Sequence, residues 1–336
     1  MRGRRTFALR VLMAAVAALA LAAAFQAPGG AGEQEPLKWY RGNLHAHTLN
    51  SDGDSTPSDV ATWYREQRYH FLVLSDHNYL TEIAGLNAVH GAKEKFLLIA
   101  GEEVTDEFGE KPLHLNAYNP SRLIEPAHGE SLVDTIQRNV DAIRAAGGLP
   151  SLNHPNFRWA VTSEELKAVR DLGLVEVYNG HPMVNNPGGG GWESLEQMWD
   201  AALTAGRRLY GIAVDDAHHF KQFGREYSNP GRGWVVVRAK ALEAAEITGA
   251  LAAGDFYAST GVQLADVQVT AEEYRVTIRP KEGLKYTTLF LGSGGRVLAT
   301  SYDTTASYRF QGGERHIRAR VEASSGDRAW TQPAWR

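Results

Sequence analysis

Short apolar runs recur along this chain, and each stops at a histidine or a carboxylate. Leu44-His45-Ala46-His47-Thr48 is followed by Ser51-Asp52-Gly53. Phe71-Leu72-Val73-Leu74 leads into Ser75-Asp76-His77-Asn78, and Phe96 to Ala100 leads into Gly101-Glu102-Glu103-Val104-Thr105. Leu113-His114-Leu115-Asn116, Asn153-His154-Pro155 and Val214-Asp215-Asp216-Ala217-His218 complete the series. Runs of this length, rich in Val, Leu and Ile, read as buried strands. A chain that places its titratable groups at strand ends brings them to one face if the strands are parallel. Imidazole and carboxylate without thiolate suit Zn, Mn, Fe or Ni better than copper(I) or an iron–sulfur cluster.

Strand signals fall at 38–46, 70–75, 96–101, 113–118, 148–153, 174–178 and 209–214. Helical patterns lie between them, beginning at Pro57-Ser58-Asp59-Val60 and continuing at 81–90, 129–146, 162–171 and 192–205. Ser131 to Asp134 and Thr162 to Glu165 have the spacing of N-terminal capping boxes or near variants. This β/α alternation predicts an α/β fold with a mostly parallel sheet, open or closed into a barrel. From residue 262 the pattern is β throughout, which predicts a small sandwich-like module over 262–336 after a barrel over 38–261.

The first 27 residues hold Arg2, Arg4, Arg5 and Arg10, no acid, and an apolar stretch from Phe7 to Phe25. They read as an export signal with small-residue cleavage sites, followed by a flexible linker over 28–37. Gly3-Arg4-Arg5-Thr6-Phe7-Ala8-Leu9 resembles a twin-arginine signal. A single membrane anchor is the alternative, disfavoured because alanine is only weakly apolar. The predicted location is therefore periplasmic or extracellular, with no stable membrane anchor after processing. The net charge is −4 with no cysteine, which excludes disulfides and thiolate metal sites. Once four arginines leave with the signal the remainder is more acidic still, which argues against nucleic-acid binding.

His45 and His47 are two apart on a strand, so they share a face and one cation can take both. The Ser51-Asp52-Gly53 turn can fold a carboxylate back towards them. Asp216 and His218 repeat the two-residue spacing. The proline after His154 holds that histidine's backbone extended. His219 points elsewhere, and His70, His90, His128, His181 and His316 fit no strand end; they read as surface or core histidines. Phe157, Trp159, Trp192 and Phe220 follow ligand-bearing segments and read as packing on the rim, with an apolar pocket as the alternative. Of the adjacent Glu102 and Glu103, only one can face the site.

Taken in order, H-x-H-T…S-D-G, S-D-H-N, G-x-E-V-T, H-L-N, N-H-P and D-A-H resemble the motif series of the PHP (polymerase and histidinol phosphatase) superfamily over about residues 39–220. The later Gly254-Asp255-Phe256-Tyr257-Ala258-Ser259-Thr260-Gly261 run and the β tail resemble its CehA/McbA metallohydrolase branch. The resemblance implies a distorted (β/α)7 barrel with two or three divalent metal ions (Zn, Mn or Fe) at its mouth. His45, His47, Glu103 and Asp216 would hold the first. Glu103, rather than Glu102, would bridge to a second completed by His114 and His154. Asp52, His77 and His218 would hold a third. Asp76 and Asp215 become candidates for orienting ligands, and Glu176 and Asn179 for lining the pocket or closing a strand-terminal turn. Such a cluster implies hydrolysis by a water deprotonated between cations. A small-molecule phosphate ester is the leading substrate class. Carbamate or carboxylic ester hydrolysis with the same cluster is the first alternative, and non-catalytic metal or carbohydrate binding the second.

Overall fold

The computed structural model describes residues 36–336, and one compact unit covers Leu37–Arg336. The segment read as an export signal, and most of the linker after it, lie outside the described residues. The first half runs β1 (Lys38–Asn43), α1 (Pro57–Glu66), β2 (Phe71–Val73), α2 (Ala84–Glu94), β3 (Leu97–Ile99), β4 (Gly101–Phe108) and β5 (Lys111–Tyr118). It continues through α3 (Leu132–Ala145), β6 (Leu149–Leu152), α4 (Ser163–Ala168), β7 (Leu174–Asn179), α5 (Leu195–Thr204) and β8 (Tyr210–Val214). Then come β9 (Trp234–Ala239), α6 (Ala244–Ala253), β10 (Phe256–Ser259), β11 (Leu264–Val269), β12 (Glu273–Ile278) and β13 (Tyr286–Leu291). The chain ends with β14 (Val297–Ser301), β15 (Thr305–Arg309), β16 (His316–Ala323), β17 (Arg328–Thr331) and β18 (Ala334–Trp335). Among the described residues no helix is long and apolar enough to cross a membrane.

Side-chain caps open four of the described helices, α1, α3, α4 and α5. Thr56 caps α1, with Pro57 in its first turn where no N–H is needed. The Ser131 hydroxyl accepts from Asp134 N at α3, and full capping boxes open α4 (Thr162, Glu165) and α5 (Ser194, Gln197). Each helix then buries one face: Val60, Ala61 and Tyr64 in α1, and Ile136, Val140 and Ile143 in α3. A fully buried side chain of this size contributes roughly 1.5–3 kcal/mol, so these faces hold the helices on the sheets.

The fold is mixed α/β, but the sheet is not the expected barrel. The described strands form three sheets, and none closes. β1, β2 and β3 pair in parallel, as do β6, β7 and β8. β4 and β5 instead form an antiparallel hairpin with Phe108 opposite Lys111, and β6 joins β5 antiparallel. Gly109 supplies the positive φ (62°) that this tight turn requires. The apolar runs predict strands at 96–101 and 113–118 and none over 102–112, whereas β4 and β5 span most of that stretch. Among the described residues, the sheet that holds β1–β3 and the sheet β4–β8 are joined by two single bridges, Ala46–Ala217 and His77–Glu103.

On its other side β1 pairs antiparallel with β9, and the sheet continues through β10, β17, β16, β13 and β14. The C-terminal strands therefore extend the main sheet across residue 262. The three-stranded sheet β11–β12–β15 packs on it through Tyr274, Val276, Ile278 and Ala306 against Phe290, Ile317, Ala319 and Val321. That gives the sandwich-like layering, with one layer shared.

Candidate metal centre

The two single bridges lie where the histidines cluster. Beyond β1 the chain runs between the ends of β2 and β8: Ser75 N donates to Ala46 O (2.9 Å) and His47 N to Ala217 O (2.9 Å). His45 and His47 thus face one way, with ring centroids 5.1 Å apart. The next turn folds back as Gly53 N donates to Thr48 O (2.9 Å). A Cβ on Gly53 would stand 2.6 Å from the His47 carbonyl carbon, so only glycine lets the turn close and return Asp52 to the histidines. Beyond β2, Glu103 N donates to Asp76 O (3.1 Å) and Asn78 N to Glu103 O (3.0 Å), which aligns His77 with Glu103.

Glu103 is the hub. Its Oε1 lies 3.1 Å from His114 Nδ1 and 3.3 Å from His154 Nε2, and it accepts from Asn153 Nδ2 at 2.9 Å. Its Oε2 lies 3.3 Å from His45 Nε2, 3.2 Å from His47 Nε2 and 3.1 Å from His77 Nδ1. Yet Oε2 is buried and receives no hydrogen bond. Asp216 Oδ1 stands 3.2 Å from His45 Nε2 and 3.3 Å from His47 Nε2, and those two nitrogens are 3.1 Å apart. Tetrahedral bonds of 2.0–2.1 Å place ligand atoms about 3.3 Å apart, so these spacings match polyhedron edges around a small cation. The residues fit a divalent ion on that ground.

Two further groups converge. His77 and His114 meet Glu103, and His77 and His218 meet Asp52 together with His47. In the latter, Asp52 Oδ1 is 3.3 Å from His218 Nε2 and 3.5 Å from His47 Nδ1, and Oδ2 is 3.6 Å from His77 Nε2. His47 thus presents one nitrogen to each of two groups.

Charge is arranged to keep the carboxylates ionised. Burial raises Glu103, but His77, His45 and His114 outweigh it and hold the carboxyl well below the usual range. Burial opposes ionisation of Asp216 and Asp52 as well. His45, His47 and His218 overcome it at Asp216, and His218 and His77 at Asp52, so both are lowered. For His45, burial disfavours the imidazolium, and Asp216, Glu103 and Glu176 reverse that and raise its pKa well above the ordinary value.

Glu176 and Asn179 do not line the cleft; they hold ligand candidates from behind. Glu176 Oε1 accepts from His45 Nδ1 (2.7 Å), which turns Nε2 towards Asp216 and Glu103, where it would bind a cation in place of its proton. Its other oxygen accepts from His154 N (2.7 Å) and Asn179 Nδ2 (2.8 Å). Asn179 Nδ2 also reaches Asp216 Oδ2 (3.0 Å). Asp76 and Asp215 touch none of the converging histidines and instead fix loops. Asp76 accepts from Thr48 N (2.7 Å), Ser51 Oγ (2.9 Å) and Thr81 Oγ1 (2.7 Å). Asp215 accepts from Arg232 N (2.6 Å), Gly233 N (2.8 Å) and Tyr64 OH (2.8 Å).

Side-chain alternation sends Glu102 away from the cluster: it is buried, accepts from Ile124 N (3.0 Å), and burial pushes its carboxyl up to about 7. His154 and Asp216 carry positive φ (24° and 50°), a conformation costly to non-glycine residues and common at functional sites, so His154 does not take the extended backbone that Pro155 predicts.

A cleft of about 210 Å³ opens over the cluster. Besides the converging side chains its wall is Phe157, Met183 and His181. His181 was read from sequence as a surface or core histidine, because it sits in the loop after β7 rather than at a strand end. Burial, with His218 nearby, brings its pKa down to about 4. The other aromatics leave the cleft: Trp159 and Trp192 stack on each other (5.2 Å, 18°), and Phe220 packs edge-on against Trp63 and Tyr64. Among the described residues no lysine or arginine lines the cleft.

No family model and no curated relative matches the sequence. Solved structures do. A two-domain protein from Bacteroides vulgatus containing a predicted PHP-like metal-dependent phosphoesterase aligns over 85% of this chain and 90% of its own, with a TM-score of 0.52 and 17% identity. A proposed metal-dependent phosphoesterase from Bifidobacterium adolescentis aligns over 56% of this chain and 89% of its own (TM-score 0.41, 16% identity). An amidohydrolase from Chromobacterium violaceum aligns over 54% and 88% (TM-score 0.37, 17% identity). At this identity the likeness is one of fold: the chain is similar in overall architecture to the two-domain Bacteroides vulgatus protein along most of its described length.

Proposed function

We propose that this protein is a multinuclear metal-dependent hydrolase of small-molecule esters, with phosphate esters as the leading substrates. The observation that carries the reading is Glu103: a buried carboxylate oxygen with no hydrogen bond, surrounded by imidazole nitrogens at coordination-edge spacing. His45, His47, Glu103 and Asp216 would hold one ion, Glu103, His114 and His154 a second, and Asp52, His77 and His218 a third. Nitrogen and oxygen donors of this kind suit Zn, Mn or Fe. When bound, such ions supply Lewis acidity towards the ester oxygen and lower the pKa of a water. The chain's own contribution is orientation. Glu176 fixes the His45 tautomer, Asn179 steadies Asp216, and Phe157 and Met183 keep one wall apolar.

The group of Asp52, His77 and His218 supports the phosphate reading, since a multiply charged anion gains most from a third cation. A carboxylic ester or carbamate is the second reading, favoured by Phe157, Met183 and a described cleft wall without lysine or arginine. The test is a panel of aryl phosphate, acetate and carbamate offered to protein reconstituted with Zn or Mn, alongside elemental analysis. At least two ions per chain and fastest phosphate turnover are expected. Two ions with faster acetate or carbamate turnover would move the choice to the second reading. Bound metal with no turnover of any ester would leave a binding protein. We also propose export with removal of about the first 24–31 residues; an intact N-terminus in the native host's membrane fraction would refute it.

A further inference from the structure

We propose that His181 is a catalytic residue that donates its Nε2–H to the leaving-group atom of the substrate. The proposal rests on the hydrolase reading above. Among the described polar side chains lining the cleft, His181 is the one outside the converging groups around Glu103, Asp216 and Asp52. It is therefore the polar group left free to meet substrate. Its ring stands edge-on to His218 (5.5 Å between centroids) and 6.3 Å from Phe157, between the donor cluster and the apolar wall.

The tautomer is set by the backbone. Met183 N donates to His181 Nδ1 (3.2 Å), so the ring proton sits on Nε2 and that edge is a hydrogen-bond donor. The loop is also fixed. His181 N donates to Asn179 Oδ1 (2.8 Å), Gly180 N to Val214 O (2.9 Å) and Val184 N to His181 O (3.1 Å). Asn179 and Asn186 clasp each other through Asn179 N to Asn186 Oδ1 and Asn186 Nδ2 to Asn179 O, both 2.8 Å. Because Asn179 also holds Asp216, the donor is positioned relative to the cluster itself. A donor fixed before reaction stabilises developing charge without reorganisation cost.

In the step assigned here, the oxygen of water bonds to the ester phosphorus or carbon. The bond from that centre to the leaving oxygen breaks, and its electron pair stays on the leaving oxygen. His181 Nε2–H hydrogen-bonds to that oxygen as charge builds. A proton from the attacking water ends on the leaving group, and His181 keeps its own.

The test compares wild type with His181→Phe, which keeps an aromatic ring and removes the donor, and His181→Gln, which restores an N–H at similar reach. Each is reconstituted with metal and given a series of esters whose leaving groups run from nitrophenol to simple alcohols. The Phe variant should lose about 10²–10³ in kcat/KM for the alcohols and far less for nitrophenol, with Gln recovering part of the loss. Metal content and thermal midpoint should match wild type. A loss equal across the series, no loss, or a loss that tracks metal content would overturn the role. Absence of metal-dependent turnover in wild type would instead sink the hydrolase reading and this proposal with it. Wild-type turnover with an unaffected Phe variant would sink this proposal alone.

Discussion

Arg318, between α5 and the C-terminal strands, and Glu103, under the cleft, are both charged and both sealed from solvent. Arg318 forks onto Asp200, with Nε to Oδ1 at 2.8 Å and Nη2 to Oδ2 at 2.7 Å, and adds Glu196 at 2.7 Å. Arg320 supplies a second cation to Glu196, so two basic and two acidic groups balance. Around Glu103 the carboxylates of Asp216, Asp52 and Glu176 gather with histidines and, among the described residues, no lysine or arginine, and Glu103 Oε2 has no donor. The Arg318 network flanks a groove of about 670 Å³, three times the volume of the cleft. Size does not separate a functional site from a structural one, and neither does a single unmet polar atom, since Arg318 Nη1 is also buried without a partner; the balance of charge does. The Arg318 network pairs its charges within the protein, whereas the carboxylates around Glu103 gather without a fixed cation, which is what an added divalent ion would supply.

The sharpest way to break this comparison is Glu103→Gln. The amide keeps the shape and removes the charge that the two proposed ion sites would share. Activity should fall more than about a hundredfold, beyond the 10–100-fold typical of groups behind the ligands, and elemental analysis should find less metal. Full metal content in the variant would show that Glu103 is not the hub.

Arg318→Met makes the complementary test at the closed site. It leaves Asp200 buried without its partner and Glu196 with Arg320 alone, at a cost of about 3–5 kcal/mol. Denaturant unfolding should show that loss while metal content stays at the wild-type value. A change in metal stoichiometry would mean the two regions are coupled, and the contrast between them would fail.

Glu176→Gln probes the boundary between the two kinds of carboxylate. Glu176 is hydrogen-bonded like Asp200 yet acts on His45 and His154. Metal affinity should weaken about 10–100-fold, with the fold intact. No change in affinity would reduce Glu176 to a strand-end brace.

The ligand candidates were legible because alternation in a strand is local. His45 and His47 share a face, and Asp216 and His218 repeat the spacing. What stayed hidden depends on contacts between distant segments. His45 meets Glu176 131 residues away, and Arg318 meets Asp200 118 residues away; no periodicity encodes either. The same holds for closure of the barrel. Apolar runs mark the strands, but the turn at Gly109 makes β4 and β5 a hairpin and leaves the edges joined by single bridges. His181 was missed because its place is set by the Asn179–Asn186 clasp, a loop feature with no pattern of its own.

The smallest effect is expected at Glu102, one residue from the hub and on the other face of β4. Its carboxylate accepts from Ile124 N, has Glu125 nearby, and touches none of the converging histidines. Glu102→Gln should therefore leave metal content and turnover near wild type. Its signature lies in stability. Burial raises the carboxyl from an ordinary 4.5 to about 7 in the folded protein. The folded state then holds a proton that the unfolded chain has released, so this contribution is complete below the unfolded pKa and is lost as pH rises through the folded one. Glutamine carries no such dependence. The thermal midpoint of the variant should gain on wild type between about pH 5 and about pH 8. A variant that instead loses metal would place Glu102 in the cluster and reverse the register of β4.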